Sequence, residues 1–261
     1  PDRLHAIVTR SPGYCLVKMT PFPSPSCNIA QALAQVQQRI AQAVAQAGRP
    51  ANSVRLLAVS KTFPANAVAS AVRAGQTSFG ENYVQEGIAK ITTLREQGLH
   101  ALQWHCIGPV QSRKTAQVAA HFDWMQSLNR LDIAQRLSRQ RPQGLPPLQV
   151  CLQINIDGGA NKSGVTPGQA LELAQAVQDL PGLQLRGLMS IPEPYEDPRQ
   201  TLEVHQRTRA LFDEMGQILK QPLWDTLSMG MSQDLELAIT AGSTMVRVGS
   251  AIFGARTTQA G

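Results

Sequence analysis

The chain has 261 residues, and 43% hydrophobic against 16% charged side chains excludes a disordered or fibrous polypeptide and fits one large globular core. A net charge of +6 invites a nucleic-acid reading, but the Lys and Arg residues form no basic run and no aromatics interleave them, so the field is read as one that draws in a small anion. No apolar run approaches the roughly 18 residues that span a bilayer, and none follows Arg3 and Arg10 to make a signal peptide, which predicts a cytoplasmic protein without a membrane partner.

Residues 1–27, broken by Pro21, Pro23 and Pro25, show no apolar period and are expected to form an irregular extension, with the folded domain running over 28–261. From Ile29 the pattern changes: Ile29, Leu33, Val36, Ile40 and Val44 share one helical face, and Gly48 and Pro50 stop the helix. Short apolar runs then recur at 54–60, 77–79, 104–107, 124–127, 148–154, 185–191, 226–228 and 245–248. Helical stretches separate them. One places Val84, Ile88, Ile91 and Leu94 on a single face, another begins with Thr166 as N-cap and Pro167 at the first helical position, and a third is expected to run from Ser232 as N-cap, with Asp234 in its first turn, to Gly242 as the stop. Strands that each need a helical crossover imply a parallel sheet, and about eight of them imply a single (β/α)8 TIM barrel with an extra N-terminal helix. An open doubly wound sheet is the alternative, but no GxGxxG fingerprint follows the first strand.

Active sites of such barrels sit where the strands end, so the residues after each apolar run carry the functional reading. Lys61 follows Leu56-Leu57-Ala58-Val59-Ser60; at the barrel mouth its amine either condenses with an aldehyde as a Schiff base or snorkels to solvent. Ser228-Met229-Gly230-Met231-Ser232 and Arg247-Val248-Gly249-Ser250 close the seventh and eighth runs, where barrels build anion sites from backbone N–H groups; the glycines could equally serve tight turns. Asn82 and Tyr83 offer an amide and a phenol after the second run. His105 reads better as a wall residue than as an acid–base group, and Lys162, in Asn161-Lys162-Ser163-Gly164, as a solvated loop charge. Cys15, Cys27, Cys106 and Cys151 lack metal-knuckle spacing and are read as free thiols. An anion site together with an aldehyde-ready lysine describes a pyridoxal phosphate pocket. Arg247 would then face the pyridine nitrogen as a donor only.

With these motifs assembled, the chain resembles the pyridoxal phosphate homeostasis protein family, relatives of the barrel of bacterial alanine racemase. The resemblance rests on Leu57-Ala58-Val59-Ser60-Lys61-Thr62, Phe79-Gly80-Glu81-Asn82-Tyr83-Val84-Gln85-Glu86, Trp104-His105 with Ile107-Gly108, Lys162-Ser163-Gly164, Gly187-Leu188-Met189, Leu227-Ser228-Met229-Gly230-Met231-Ser232 and the run 241–254. Cys106 stands where the family pattern has an aromatic residue. The resemblance implies a fold-type III barrel that lacks the C-terminal β-domain of the racemase, in accord with a chain that ends shortly after Arg256. It implies that Lys61 carries pyridoxal 5′-phosphate, that Arg247 faces the ring nitrogen, and that Ser228, Gly249 and Ser250 with neighbouring amides of Met229, Gly230 and Met231 hold the phosphate, with Asn82 nearby. The expected role is buffering or delivery of the vitamin B6 cofactor to dependent apoenzymes, by a monomer without catalytic turnover. An amino-acid racemase or lyase using Tyr83 or His105 is the alternative.

Overall fold

A computed structural model of the chain describes residues 26–159 and 162–254. The expectations for residues 1–25, for Asn161 and for Arg256 lie outside the described residues. Helix α1 (Ser26–Gln46) opens the fold and begins inside the stretch expected to be irregular. Its face of Ile29, Leu33, Val36, Ile40 and Val44 is buried, as the period of the apolar residues demands. Eight strands follow: β1 (Arg55–Val59), β2 (Ser78–Glu81), β3 (Gln103–Cys106), β4 (Trp124–Leu128), β5 (Leu148–Ile154), β6 (Leu183–Ser190), β7 (Thr226–Ser228) and β8 (Met245–Val248). They pair in chain order as a closed barrel, and β1 meets β8 in parallel with Leu57 opposite Arg247. Closure removes both sheet edges, which the open-sheet alternative would have left.

The crossovers are α2 (Ala65–Arg73), α3 (Val84–Glu96), α4 (Thr115–His121), α5 (Leu131–Gln140), α6 (Pro167–Gln178), α7 (Pro198–Leu219) and α8 (Leu235–Thr240), and α9 (Ser250–Phe253) follows β8. Thr166 caps α6 as expected, its N–H and hydroxyl both donating to the Gln169 side chain at 3.4 and 2.9 Å. The helix expected to have Ser232 as its N-cap is capped two residues later, at Asp234, and runs from Leu235. The reason is local: Asp234 Oδ1 accepts the Met231 N–H at 2.7 Å, so residues 231–234 form a turn and Asp234 becomes the N-cap. Among the described residues, no helix is long and apolar enough to cross a membrane.

One apolar layer lies between strands and helices, and the barrel interior is filled rather than hollow. Trp124 is buried there with Cys151 and Met189: His105 stacks on it at 5.0 Å, and the guanidinium carbons of Arg55 and Arg186 lie 5.5 and 4.9 Å from its centroid. Arg186 binds Asp225 and Gln149, so the charges at this end satisfy one another. The polar interior is directional. Arg247 donates to Ser228 Oγ, Ser228 to Gln126 Oε1, Gln126 Nε2 to His105 Nδ1, and His105 Nε2 to Gln103. That order requires a neutral His105, and burial without a carboxylate partner pushes its pKa well below the usual imidazole value.

Candidate functional site

A cavity of about 640 Å³ opens at the C-terminal ends of the strands. Its wall combines the amines of Lys61 and Lys162, the Arg247 guanidinium and the hydroxyls of Ser232 and Ser250, from elements far apart in sequence. Lys61 enters from the end of β1, whose Leu57, Ala58 and Val59 are buried in the wall. The chain turns sharply after it, with Phe63 N–H donating to the Ser60 carbonyl at 3.1 Å and Thr62 at φ +68°. Asn82 enters from the end of β2 and abuts Gly108, where an added Cβ would fall 2.2 Å from the Asn82 carbonyl oxygen. Only glycine permits that approach.

Arg247 sits within β8, 4% exposed, and reaches the cavity from inside the barrel. Its Nη1 donates to the Ser228 carbonyl and hydroxyl, both at 2.8 Å, and its Nη2 donates to the Ser190 carbonyl at 2.7 Å. Burial pushes its pKa down to about 10, partly opposed by Asp234, so the group stays charged at neutral pH. It takes part in no ion pair among the described residues. Gly249 and Ser250 line the cavity beside it, and the Ser250 hydroxyl is 3.5 Å from that of Ser232.

The structure therefore brings Lys61, Asn82, Met231, Arg247, Gly249 and Ser250 to one cavity, as expected from strand ends. Ser228, Met229 and Gly230 do not line it. The Ser228 hydroxyl is spent inside the barrel on Gln126 and Arg247, Met229 is fully buried in the outer core, and Gly230 takes φ +91° against Ala238. For Ser228, the expected direct contact with a phosphate becomes a contact with the guanidinium that faces the cavity. Lys162 departs from the solvated-loop expectation: it lines the cavity, lies 3.1 Å from Glu193 and donates to the Ile191 carbonyl. Tyr83 is 60% exposed, and neither it nor His105 lines the cavity.

Several cavity residues escaped the sequence reading. Ser232, which belongs to the 228–232 loop but not to the individual residues expected to hold the ligand, lines the cavity because Asp234 rather than Ser232 caps α8. Asp234 also lines the cavity, fixed by the Met231 N–H and by His205 Nε2 at 2.9 Å. Burial works to raise the Asp234 pKa, but these hydrogen bonds outweigh it and hold the carboxyl below its usual range. The signal available in the sequence was the polar spacing of Ser232 and Asp234, which fits a turn as well as a helix start. Cys106 and Cys151 are buried thiols, both pushed up to about 12 by burial, and neither is a ready nucleophile.

Comparison with known proteins adds an independent line. The family described as "Alanine racemase, N-terminal domain" matches residues 32–257. The pyridoxal phosphate homeostasis protein of Pasteurella multocida is 53% identical over 228 residues, spanning 87% of this chain and 97% of that protein. The solved structure of PipY from Synechococcus elongatus with PLP bound is similar at 35% identity and a TM-score of 0.75, covering 87% of this chain and 100% of that one. Alanine racemase from Corynebacterium glutamicum, at 17% identity and a TM-score of 0.60 over 60% of its length, shares the fold.

Proposed function

The chain belongs to the pyridoxal phosphate homeostasis protein family, built on the alanine racemase N-terminal domain, and from that premise we propose that it binds pyridoxal 5′-phosphate through Lys61 and serves vitamin B6 cofactor homeostasis and amino- and keto-acid balance. The observation that carries this reading is Arg247. A buried guanidinium with no carboxylate partner is costly unless a ligand or hydrogen bonds compensate it. Three of its five N–H donors reach neutral oxygens of Ser190 and Ser228, which fixes the group in place and leaves donor capacity beside the cavity.

When bound, the cofactor supplies an aldehyde for condensation with a primary amine, a phosphate and an electron-withdrawing pyridine ring. The residues present fit those three parts. Lys61 supplies the amine from the β1 end. Ser250 and Ser232 present hydroxyls, and the backbone after Gly249 adds amides, for the phosphate. Arg247 would donate to the ring nitrogen and could not accept from it, which would leave that nitrogen unprotonated and restrain carbanion chemistry. Asn82 closes the cavity on the β2 side. Ser228 acts through Arg247, with Met229 and Gly230 shaping the loop behind it.

The role proposed is that of a carrier, handing the cofactor to dependent apoenzymes in the cytoplasm, rather than an enzyme. Tyr83 and His105, the two bases a racemase reading would enlist, lie outside the cavity. Robust α-hydrogen exchange on any member of an amino-acid panel would overturn the carrier role. The binding mode is tested by adding pyridoxal 5′-phosphate to the purified protein, reducing with borohydride and mapping the adduct. The adduct is expected on Lys61 and absent from Lys61→Ala protein. A reducible link that persists elsewhere in Lys61→Ala would overturn the assignment.

A further inference from the structure

Behind Lys61 lies an ion cluster that barrel closure does not require. Lys90, on α3, is 5% exposed, and its ammonium lies 2.7 Å from each of three oxygens: Glu81 Oε1, Glu86 Oε1 and the backbone carbonyl of Ser60. All three of its N–H donors are therefore used. Glu81, fully buried at the end of β2, also accepts from the Ser60 hydroxyl at 2.6 Å. Burial pushes the Glu81 carboxyl above its usual range, against the opposing pull of Lys90. Glu86 uses the same Oε1 to accept the backbone N–H of Thr62 at 2.5 Å.

These contacts converge on Ser60 and Thr62, the two chain neighbours of Lys61. Thr62 is a β-branched residue at φ +68°, a conformation that persists only where the surroundings over-determine it. The Ser60 carbonyl that receives the ammonium also receives Phe63 N–H, so one oxygen both closes the turn and anchors it to α3. A buried ammonium with two carboxylates adds little net stability over apolar groups of the same volume, so stability does not account for the cluster. Fixing a geometry does. None of the three side chains lines the cavity, and Lys90 and Glu86 bond the backbone on either side of Lys61, at the Ser60 carbonyl and the Thr62 N–H.

We propose that Lys90, Glu81 and Glu86 form a positioning clamp that locks the turn at residues 60–62 and thereby presents the Lys61 amine to the cavity. The proposal rests on the reading of Lys61 as the cofactor amine. The full chain is compared with Glu86→Ala, Glu86→Gln and Lys90→Met by two readouts: hydrogen exchange of the Thr62 amide, and the rate at which Lys61 is trapped by pyridoxal 5′-phosphate and borohydride. Glu86 is partly exposed, so its variants keep the fold even where Lys90→Met does not. In Glu86→Ala the Thr62 amide should exchange about tenfold faster and trapping should slow by a similar factor, as loss of one charge-assisted hydrogen bond predicts. Glu86→Gln, which keeps an acceptor for Thr62, should restore both. Unchanged exchange in Glu86→Ala, or faster exchange with unchanged trapping, overturns the clamp. Failure to trap Lys61 in the unsubstituted chain would instead sink the cofactor reading, and the clamp's purpose with it.

Discussion

Gly108 ties the wall of the barrel to the cavity, and Gly108→Ala measures that tie. A Cβ at this position would lie 2.2 Å from the Asn82 carbonyl oxygen and 2.8 Å from the Asn82 carbonyl carbon and Cα. Carbon–oxygen contacts of this kind close to no less than about 3.3 Å, so the segments must part by about 1.1 Å. All three opposing atoms are backbone, and no side-chain rotation relieves the overlap. Two hydrogen bonds resist the parting: Ile107 N–H to the Glu81 carbonyl at 2.9 Å, and the Ser127 hydroxyl to the Gly108 carbonyl at 2.5 Å. At about 0.5–1.5 kcal/mol each, their loss gives a destabilisation of about 1–3 kcal/mol. The same displacement carries Asn82 out of place in the cavity wall, and under the proposed function, in which Asn82 would hydrogen-bond the cofactor, loss of that one bond weakens binding by about 2- to 13-fold. Urea denaturation reads the first effect and absorbance titration with pyridoxal 5′-phosphate the second. A Gly108→Ala protein with an unshifted midpoint and an unshifted affinity would refute the reasoning, because a contact of 2.2 Å cannot be absorbed silently.

Two further substitutions probe the frame of the site. His105 is neutral in the folded barrel because burial depresses its pKa, so below the ordinary imidazole value near ~6.5 the unfolded chain gains a proton that the folded chain refuses, and stability falls by up to ~1.36 kcal/mol per pH unit. In urea melts, His105→Asn should show a shallower loss of stability than the unsubstituted chain between about pH 6.5 and pH 5, and parallel curves would count against a buried neutral ring. Gly187 takes φ +148°, and a Cβ there would lie 1.9 Å from the Thr226 carbonyl oxygen across the β6–β7 seam. Gly187→Ala should therefore cost about 3 kcal/mol or more from overpacking and backbone strain together, and a thermal midpoint within error of the unsubstituted chain would refute a close approach at this seam.

Much of the frame was legible in one dimension. The apolar runs at 148–154, 226–228 and 245–248 coincide with β5, β7 and β8, and the buried face of α1 is the one its period marks. Strand-end logic placed Lys61, Asn82, Met231, Arg247, Gly249 and Ser250 around one mouth, because a parallel barrel delivers the last residue of every strand to the same side. Periodicity reports which way a backbone turns and which face is buried; it does not report what a side chain meets. Ser228 finds Gln126, 102 residues away, and Asp234 finds His205, 29 residues away, only after the barrel has closed. The same holds for Lys162, turned to the cavity by the acidic and carbonyl partners of the β6–α7 segment, and for Ser232, exposed to it because Asp234 bonds backward to Met231. Local preference and burial pattern were written in the chain, whereas the choice of polar partner was decided by closure, since a hydrogen bond needs atoms within about 3 Å and only tertiary packing brings such distant residues that near.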